Sequence, residues 1–329
     1  MRKKTFLWIT DPWDTLDHPR DTTLRFAEES LALGFESHWA DVKSLRLEDA
    51  QVLLDARRIE AVYPDRSEKS FRLSQPEARR PSDFGSIHYR VDPPVDLAYL
   101  HPLQLLAQDV RARRGLGLGL GRTRCEIVNP ALALFKFNEK FEAARLKDLM
   151  PPSLVAAQWE PLQRFGKAQG QTVLKPLHEA QSKGVEMLRW DSGAELERSE
   201  SLLRAATSGF STPVLLQRYL PGILQGEQRL WFVDGRLLAC VKKLPKSGDF
   251  RVNMDQGSRV VETTLSRAES RAARKIGEHL RRTKIRLAAV DLIDGYITDY
   301  NITSPGLITQ MEFVLGVNLA RDIILALAR

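Results

Sequence analysis

The chain has 329 residues, enough for two or three domains with cores of their own. Its 43% hydrophobic and 28% charged content is ordinary for a globular protein, and its apolar stretches are far too short to span a membrane, so no membrane partner is expected. Two cysteines make neither a disulfide framework nor a Cys-x-x-Cys pair, which suits a reducing cytoplasm, while the net charge of +7 fits nucleic acid, a polyanion such as ATP, or scattered surface charge.

Met1-Arg2-Lys3-Lys4 imitates a targeting segment, but the apolar run stops at Asp11-Pro12, so Phe6–Thr10 reads as a first strand. Asp21-Thr22-Thr23 caps a helix reaching Leu33, with Leu24, Ala27 and Leu31 inward and Gly34 as its stop. Ser37–Ala40 is a second strand, Arg57–Tyr63 and Ser70–Leu73 pair as a hairpin, and Val95–Asp109 has helical spacing. The Gly/Leu alternation over Gly115–Gly121 makes a poor helix and a weak strand, and reads as a flexible connection rather than a phosphate cradle. Glu126–Asn129 is a short strand, and Pro130 opens a helix reaching Leu149 before Pro151-Pro152 breaks it. A strand at Leu154–Ala157 and a helix at Glu160–Lys167 follow, then a strand at Thr172–Pro176 with a lysine near its end and another at Val214–Tyr219. Asp234-Gly235 turns Arg229–Val233 into Arg236–Lys242. Ser266-Arg267-Ala268-Glu269 is a capping box whose helix turns Ala272, Ala273, Ile276 and Leu280 inward. Phe313 to the C-terminus reads as one apolar-faced helix.

The most informative stretch lies between those last two helices. Ala289–Ile293 and Tyr296–Asn301 form a second hairpin around Asp294-Gly295. Asp299 and Asn301 stand at i and i+2 and share one face, and Asp291 on the partner strand can face the same side. Two carboxylates and an amide oxygen are hard donors that suit Mg²⁺, with room left for water and phosphate. A solvated polar hairpin is the plainer alternative. Against it, Val290, Leu292 and Ile293 make the first strand nearly continuous in apolar residues, so Asp291 lies at a buried sheet and needs a partner. The basic clusters Arg111-Ala112-Arg113-Arg114, Arg122-x-Arg124 and Arg281-Arg282-x-Lys284 lack interleaved aromatics and any helix-turn-helix or zinc-finger spacing, which makes nucleic acid the weaker reading of the charge.

The order of motifs resembles the ATP-grasp superfamily, and within it the prokaryotic glutathione synthetase family. The likeness runs through Asp11-Pro12, Arg90-Val91-Asp92-Pro93-Pro94, Asn138-Glu139-Lys140, Leu174-Lys175-Pro176-Leu177, Gln217-x-Tyr219-Leu220-Pro221, Val233-Asp234-Gly235, Arg251-x-Asn253 and Asn301-Ile302-Thr303-Ser304-Pro305. It implies an α/β (α+β) ATP-grasp fold. An N-terminal open-sheet α/β substrate-binding domain would span 1–128, a small central lid 129–212 and a C-terminal antiparallel-sheet catalytic subdomain 213–329. It implies an ATP- and Mg²⁺-dependent carboxylate–amine ligase, with Mn²⁺ as an alternative metal, that works through an acyl phosphate. The family reaction joins γ-glutamylcysteine and glycine to give glutathione. The family is commonly oligomeric, which makes a homo-oligomer the expectation.

The same resemblance implies roles. Asp291, Asp299 and Asn301 match the magnesium ligands, with Asp299 one methylene shorter than the family's glutamate. Lys175 matches the lysine on the ATP phosphates, Gln217, Tyr219 and Leu220 the adenine hinge, and Glu227 the ribose acid. Arg229 and Arg251 match arginines that hold phosphate, and Asn253 lies in the loop covering the site. Arg90, Asp92, Ser304, Pro305 and Gly306 stand in the substrate loops. Two departures count against a simple carry-over. The family's Asp-Gly-x-Gly-Gly phosphate loop reads His178-Glu179-Ala180-Gln181-Ser182-Lys183-Gly184 here, with Lys183 or His178 as side-chain substitutes. A second phosphate lysine is replaced by Pro130, leaving Lys136 or Lys140 to compensate. The alternatives are the same chemistry on another acid and amine, or a nucleotide-binding homologue that has lost catalysis. Asp291→Asn is expected to abolish turnover and spare the fold.

Overall fold

In the computed structural model of the chain the described residues are 4–62, 71–115, 125–252, 254 and 257–329. Phe6-Leu7-Trp8-Ile9 is apolar throughout because its strand is covered on both faces, each side chain being at most 1% exposed. That strand, Thr5–Thr10, pairs in parallel with Glu36–Asp41 and with Ser86–Tyr89, which pairs in parallel with Glu126–Val128. The long strand Gln51–Val62 closes the other side antiparallel and carries Arg46–Glu48, Phe71–Leu73 and Glu77–Arg79. Helix Thr22–Ala32 starts where expected, its Asp21 cap accepting the Leu24 N–H at 2.8 Å.

The second sheet is antiparallel, in the order Glu186–Arg189, Gln171–Pro176, Val214–Arg218, Ser153–Ala156. Helices Trp159–Gln169 and Gly193–Ala206 cover it, and Leu162, Leu174, Leu188, Trp190, Leu203 and Leu216 make a core separate from the others. Gly166 lets the Trp190 ring lie against its helix, since a Cβ there would meet the ring at 2.0 Å. This sheet takes in Val214–Arg218, beyond the expected division at 212, and we propose that the change of unit follows Arg218.

The third sheet is antiparallel, in the order Arg259–Glu262, Arg236–Leu244, Glu227–Val233, Leu287–Ile293, Tyr296–Asn301. Helix Arg267–Thr283 packs Ala272, Ala273, Ile276 and Leu280 on one of its faces, as its capping box and spacing foretold. Two cores run from the first sheet into the third. One joins Leu7, Ile9 and Ile87 to Leu230, Phe232, Val290 and Tyr300. The other joins Phe6, Trp8 and Phe26 to Trp231, Ile308 and Ile323.

Two expectations fail. The helix predicted from Pro130 to Leu149 is only Ala131–Lys136, followed by single 3₁₀ turns at Glu142–Arg145 and Lys147–Leu149. Phe137 is extended, and the Asn138 side chain accepts the Lys140 N–H at 3.0 Å, a local bond that competes with helix continuation. The final helix is two, Ile308–Leu315 and Leu319–Leu327, because Gly316 turns left-handed (φ 65°) and Asn318 caps the second. Phe313, the expected start of that helix, lies inside the first of the two and is 89% exposed. The strand Glu186–Arg189 and the helix Gly193–Ala206 were not foreseen. Residues 116–121 of the Gly/Leu segment lie outside the described residues.

His88 is fully enclosed between Trp8 and Phe6, bonded at Nε2 to Ser86 Oγ, with Nδ1 unpartnered. Burial holds its pKa far below 6.5, helped by Arg90, Lys4 and Arg286. A proton is therefore taken up more readily by the unfolded chain, so stability is full above pH 6.5 and falls below it, with a slope approaching ~1.4 kcal/mol per pH unit. Denaturant titrations from pH 7.5 to 5 should show this slope, and His88→Phe should reduce it.

Candidate active site

Register decides which side chains share a face. Counting back from the Asp294-Gly295 turn would set Asp291 opposite Thr298. Instead the ladder slips by one residue, so that Asp291 faces Asp299 and Asn301 faces Ala289. The same happens in the neighbouring hairpin. A slip between Trp231 and Phe232 sets Lys243, not Lys242, opposite Glu227. Because Arg229 pairs with Asp291, a single sheet face carries Glu227, Arg229, Lys243, Asp291, Asp299 and Asn301.

That face is a dense charge array. Asp291 is 2% exposed. Arg229 donates to both its oxygens, Nε to Oδ1 at 2.8 Å and Nη2 to Oδ2 at 2.6 Å, and Lys243 Nζ donates to Oδ2 at 3.1 Å. Burial alone would raise the Asp291 pKa, but the two cations outweigh it and hold the carboxyl well below the usual range. Lys243 also meets Glu227 at 2.5 Å, and burial raises the Glu227 pKa against that cation. Lys140 donates to both oxygens of Asp299 at 3.0 Å. Burial opposes its charge, yet Asp299 and Glu139 together leave the Lys140 pKa raised.

Lys175 reaches in from the second sheet. Its Nζ donates to Gln217 Oε1 at 3.1 Å and to the carbonyl of Thr298, the slipped residue of the metal-candidate hairpin, at 2.8 Å. Burial pulls its pKa down, with Asp299 opposing. The loop His178–Gly184 follows. Its backbone is left-handed at Gln181 (φ 56°) and Ser182 (φ 61°), so two residues with side chains hold a conformation that favours glycine. The His178 carbonyl accepts the Val95 N–H at 2.9 Å, and the Leu177 carbonyl accepts Asn138 Nδ2 at 2.9 Å.

These groups line one cleft of about 410 Å³. One end has apolar walls of Val173, Leu220, Ile223, Phe250 and Ile293. Its middle is the charge array. At the far end Arg90 is 4% exposed, donating from Nε to Thr23 Oγ1 at 3.1 Å and from Nη2 to the Pro305 carbonyl at 2.9 Å, while Nη1 has no partner. Asp21 and Asp92 stand beside it. Asp92 is open to water on one side but crowded by the cleft walls. That crowding, with the Asp21 and Asp11 charges, pushes its pKa up to about 6 against a Ser304 hydrogen bond and Arg90.

The donor set fits a magnesium ion in kind. Asp291 and Asp299 are direct cross-strand neighbours and Asn301 is next on the same face, all lining the cleft. Among the described residues no group of three His, Cys, Asp or Glu side chains forms a cage, and Mg²⁺, which keeps waters and takes phosphate oxygens, needs none. Both carboxylates carry cations here, and Asn301 donates its Nδ2 to the Ala289 carbonyl at 3.0 Å, so a metal would share or displace these partners.

The expected residues mostly converge. Lys140, Lys175, Gln217, Tyr219, Leu220, Glu227, Arg229, Arg251, Arg90, Asp92, Ser304 and Gly306 all line the cleft. Pro305 is buried behind it and contributes its carbonyl to Arg90. The Gln217 side chain is spent on Lys175 and on Ser153 Oγ, leaving only its backbone free to serve a base. Arg251 pairs with Asp249 at 3.2 Å in the loop above the cleft, and Asn253 lies outside the described residues. Lys136 is exposed over the Phe137 ring, so Lys140 is the lysine in the cleft. Lys243 was missed because simple turn counting puts it on the opposite face. Glu139 carries no sequence signal beyond its place in Asn138-Glu139-Lys140, with no buried run to mark it.

The prokaryotic glutathione synthetase N-terminal domain matches residues 5–114, and the ATP-grasp domain of the same enzyme matches 139–315. The glutathione synthetase of Prochlorococcus marinus strain MIT 9313 is 32% identical, over 97% of this chain and 96% of its own length. That of Agrobacterium fabrum is 28% identical, over 91% and 88%. Among solved structures, a D-cycloserine synthetase shares the fold with a TM-score of 0.64 at 14% identity, covering 98% of each chain. An ATP-grasp ligase solved with a precursor-peptide variant, Mg and ADP gives 0.60 at 16% identity, covering 99% of this chain and 98% of its own. Cation-lined cleft, ATP-grasp fold and full-length relatives agree: the chain belongs to the prokaryotic glutathione synthetase family and is an ATP-dependent amide-bond ligase.

Proposed function

We propose that this ligase joins γ-glutamylcysteine to glycine, with ATP as the energy source and Mg²⁺ as the metal, Mn²⁺ being an alternative. The observation that carries the reading is the far end of the cleft. The unpartnered Arg90 Nη1 is a donor for a carboxylate, and the Asp92 and Asp21 carboxylates beside it suit an ammonium group. That pairing complements the amino-acid head of a γ-glutamyl substrate. The reactive carboxyl at the other end of such a molecule would extend toward the charge array, where the γ-phosphate is to be placed.

In this reading Lys140, Lys175 and Arg229 hold the phosphates, and the apolar end by Tyr219 and Leu220 takes the adenine. Glu227 serves the ribose, and Arg251 covers the cleft from the loop above it. Asp291, Asp299 and Asn301 would hold the metal, which when bound neutralises charge on the phosphates. Ser304, Pro305 and Gly306 shape the acid pocket, Pro305 by its bond to Arg90. The carboxylate attacks the γ-phosphorus, ADP leaves, and the amine nitrogen displaces phosphate to leave the amide. The chain's part in this is positioning and electrostatics in a site shielded from water. We place the enzyme in the cytoplasm, supported by two cysteines that form no disulfide; among the described residues no helix is long and apolar enough to cross a membrane. We also propose a homo-oligomer, supported by exposed Phe313 and Val317.

A second reading, the same chemistry on a different acid and amine, is favoured by the side-chain-bearing loop at Gln181 and Ser182. One assay separates the two. Phosphate release from ATP with γ-glutamylcysteine should require glycine; release only with another pair from a substrate panel selects the second reading. Nucleotide binding with no release on any pair would make the chain an impaired homologue.

The ion pairs revise the expectation for Asp291→Asn. It should abolish turnover, and it should also destabilise by ~3–5 kcal/mol, because Arg229 and Lys243 lose a buried counter-charge. Chemical denaturation checks this, and a variant as stable as the parent would contradict the array. Asp92 gives a pH test. Its folded pKa of about 6 lies above the ordinary aspartate value of 3.8, so ionisation works against the folded state and Asp92→Asn should be more stable at pH 7.5. In the parent, KM for γ-glutamylcysteine should rise as pH falls through 6 and the carboxylate is lost. In Asp92→Asn it should be high and flat across pH 5.5 to 7.5.

A further inference from the structure

The reaction as described uses Lys140 but leaves its neighbour without a part. Glu139 is buried, and its Oε1 accepts three hydrogen bonds from one short stretch of chain: the Ile302 N–H at 2.5 Å, the Thr303 N–H at 2.8 Å and the Thr303 hydroxyl at 3.0 Å. Its own carbonyl accepts the Tyr300 N–H at 3.1 Å. Asn301 is therefore gripped by one residue on both sides. Tyr296–Asn301 is the edge strand of its sheet, so these N–H groups have no further strand to bond. Glu139 stands in for that strand and ends it at the point where the chain turns toward Ser304-Pro305-Gly306.

The far end of this stretch is tied to the first sheet's domain, through Arg90 and Thr22, and to Trp231 of the third sheet. The Pro305 carbonyl accepts Arg90, the Gly306 carbonyl accepts Trp231 Nε1 at 3.0 Å, and the Ile308 N–H meets Thr22 Oγ1 at 3.2 Å. The segment is thus a short span with one anchor at Glu139 and the other at Arg90. We infer that Glu139 is a positioning residue for the acid-substrate pocket, setting the Asn301–Gly306 segment through Ile302 and Thr303 so that the Pro305 carbonyl orients Arg90. This rests on the reading of Arg90 as the acid-binding end of the cleft.

Glu139→Gln keeps a carbonyl oxygen in place but replaces charge-assisted bonds with neutral ones of roughly half the strength. Two readouts follow. Hydrogen exchange needs no substrate: amide exchange at Ile302 and Thr303 should quicken by about tenfold in Glu139→Gln and by more in Glu139→Ala, with the lid strands Gln171–Pro176 and Val214–Arg218 unchanged. Steady-state kinetics with γ-glutamylcysteine should show its KM raised about fivefold in Glu139→Gln, with KM for ATP within twofold of the parent. Should Glu139→Ala fail to fold, Glu139→Gln carries both measurements alone. Unchanged exchange at Ile302 and Thr303 would overturn the inference, as would a parallel rise of both KM values in a folded variant. If the parent itself does not turn over γ-glutamylcysteine, the substrate reading fails, and the exchange result still decides whether Glu139 holds the segment.

Discussion

The Arg229–Asp291 pair is the constraint to which the rest of the cleft answers. It joins two neighbouring inner strands of the third sheet, with Asp291 2% exposed, where an unpaired buried charge would be costly. Lys243 and Glu227 extend it on one side, and Asp299 with Lys140 on the other. Four carboxylates, counting Glu139, are thereby set against four cations, counting Lys175 from the second sheet. A nucleotide polyphosphate accompanied by divalent cations has a similarly balanced sum. The array can exchange partners on binding without the cleft ever holding a large net charge. In a site shielded from water that balance matters more than any one contact, because electrostatic terms there are several times their value in solution.

The cleft is graded along its length in a way that follows from which sheet supplies each wall. At the apolar end Val173 of the second sheet and Ile293 of the third line the cleft together with Leu220, Ile223 and Phe250. The charged middle is all third sheet, apart from Lys175 and the Asn138-Glu139-Lys140 segment. The far end is built by the first sheet's domain through Arg90, Asp21 and Asp92. A flat base, a polyphosphate and an amino-acid head are three different chemistries, and in the proposed reading each would meet a different structural source.

Much of this was legible in the residues. The order of elements, the helix caps at Asp21 and Ser266 and both Asp-Gly turns follow from local rules, because those features depend on neighbours within a few positions. The convergence of Asp291, Asp299 and Asn301 was anticipated, but for a reason that strict counting does not support. A regular two-residue hairpin would have put Asp299 on the far face, and only the slipped residue Thr298 turns it back. The matching slip near Trp231 hid Lys243 altogether. Such irregularities have no single-residue signature, since they are set by how the sheet packs. The helix overextended from Pro130 failed for a related reason. Glu139 and Lys140 are good helix formers, but they and Asn138 are each claimed by a distant group: the Ile302–Thr303 amides, the Asp299 carboxylate and the Leu177 carbonyl. Tertiary bonds overrode a weak local preference.

The cores carry one further implication. The first and third sheets share two continuous apolar interiors, so they behave as a single body however the chain is divided. The second sheet has an interior of its own. Apart from the small apolar cluster around Leu220, Ile223 and Ile293, it meets that body through polar links such as Lys175 to the Thr298 carbonyl, Val95 to the His178 carbonyl and Asn138 to the Leu177 carbonyl. Polar links of this kind can be traded for water at little net loss, whereas parting a packed interior cannot. If the second sheet is the lid proposed above, nucleotide would come and go by lifting one small flap on a fixed base, and the flap would not need to unfold anything to move.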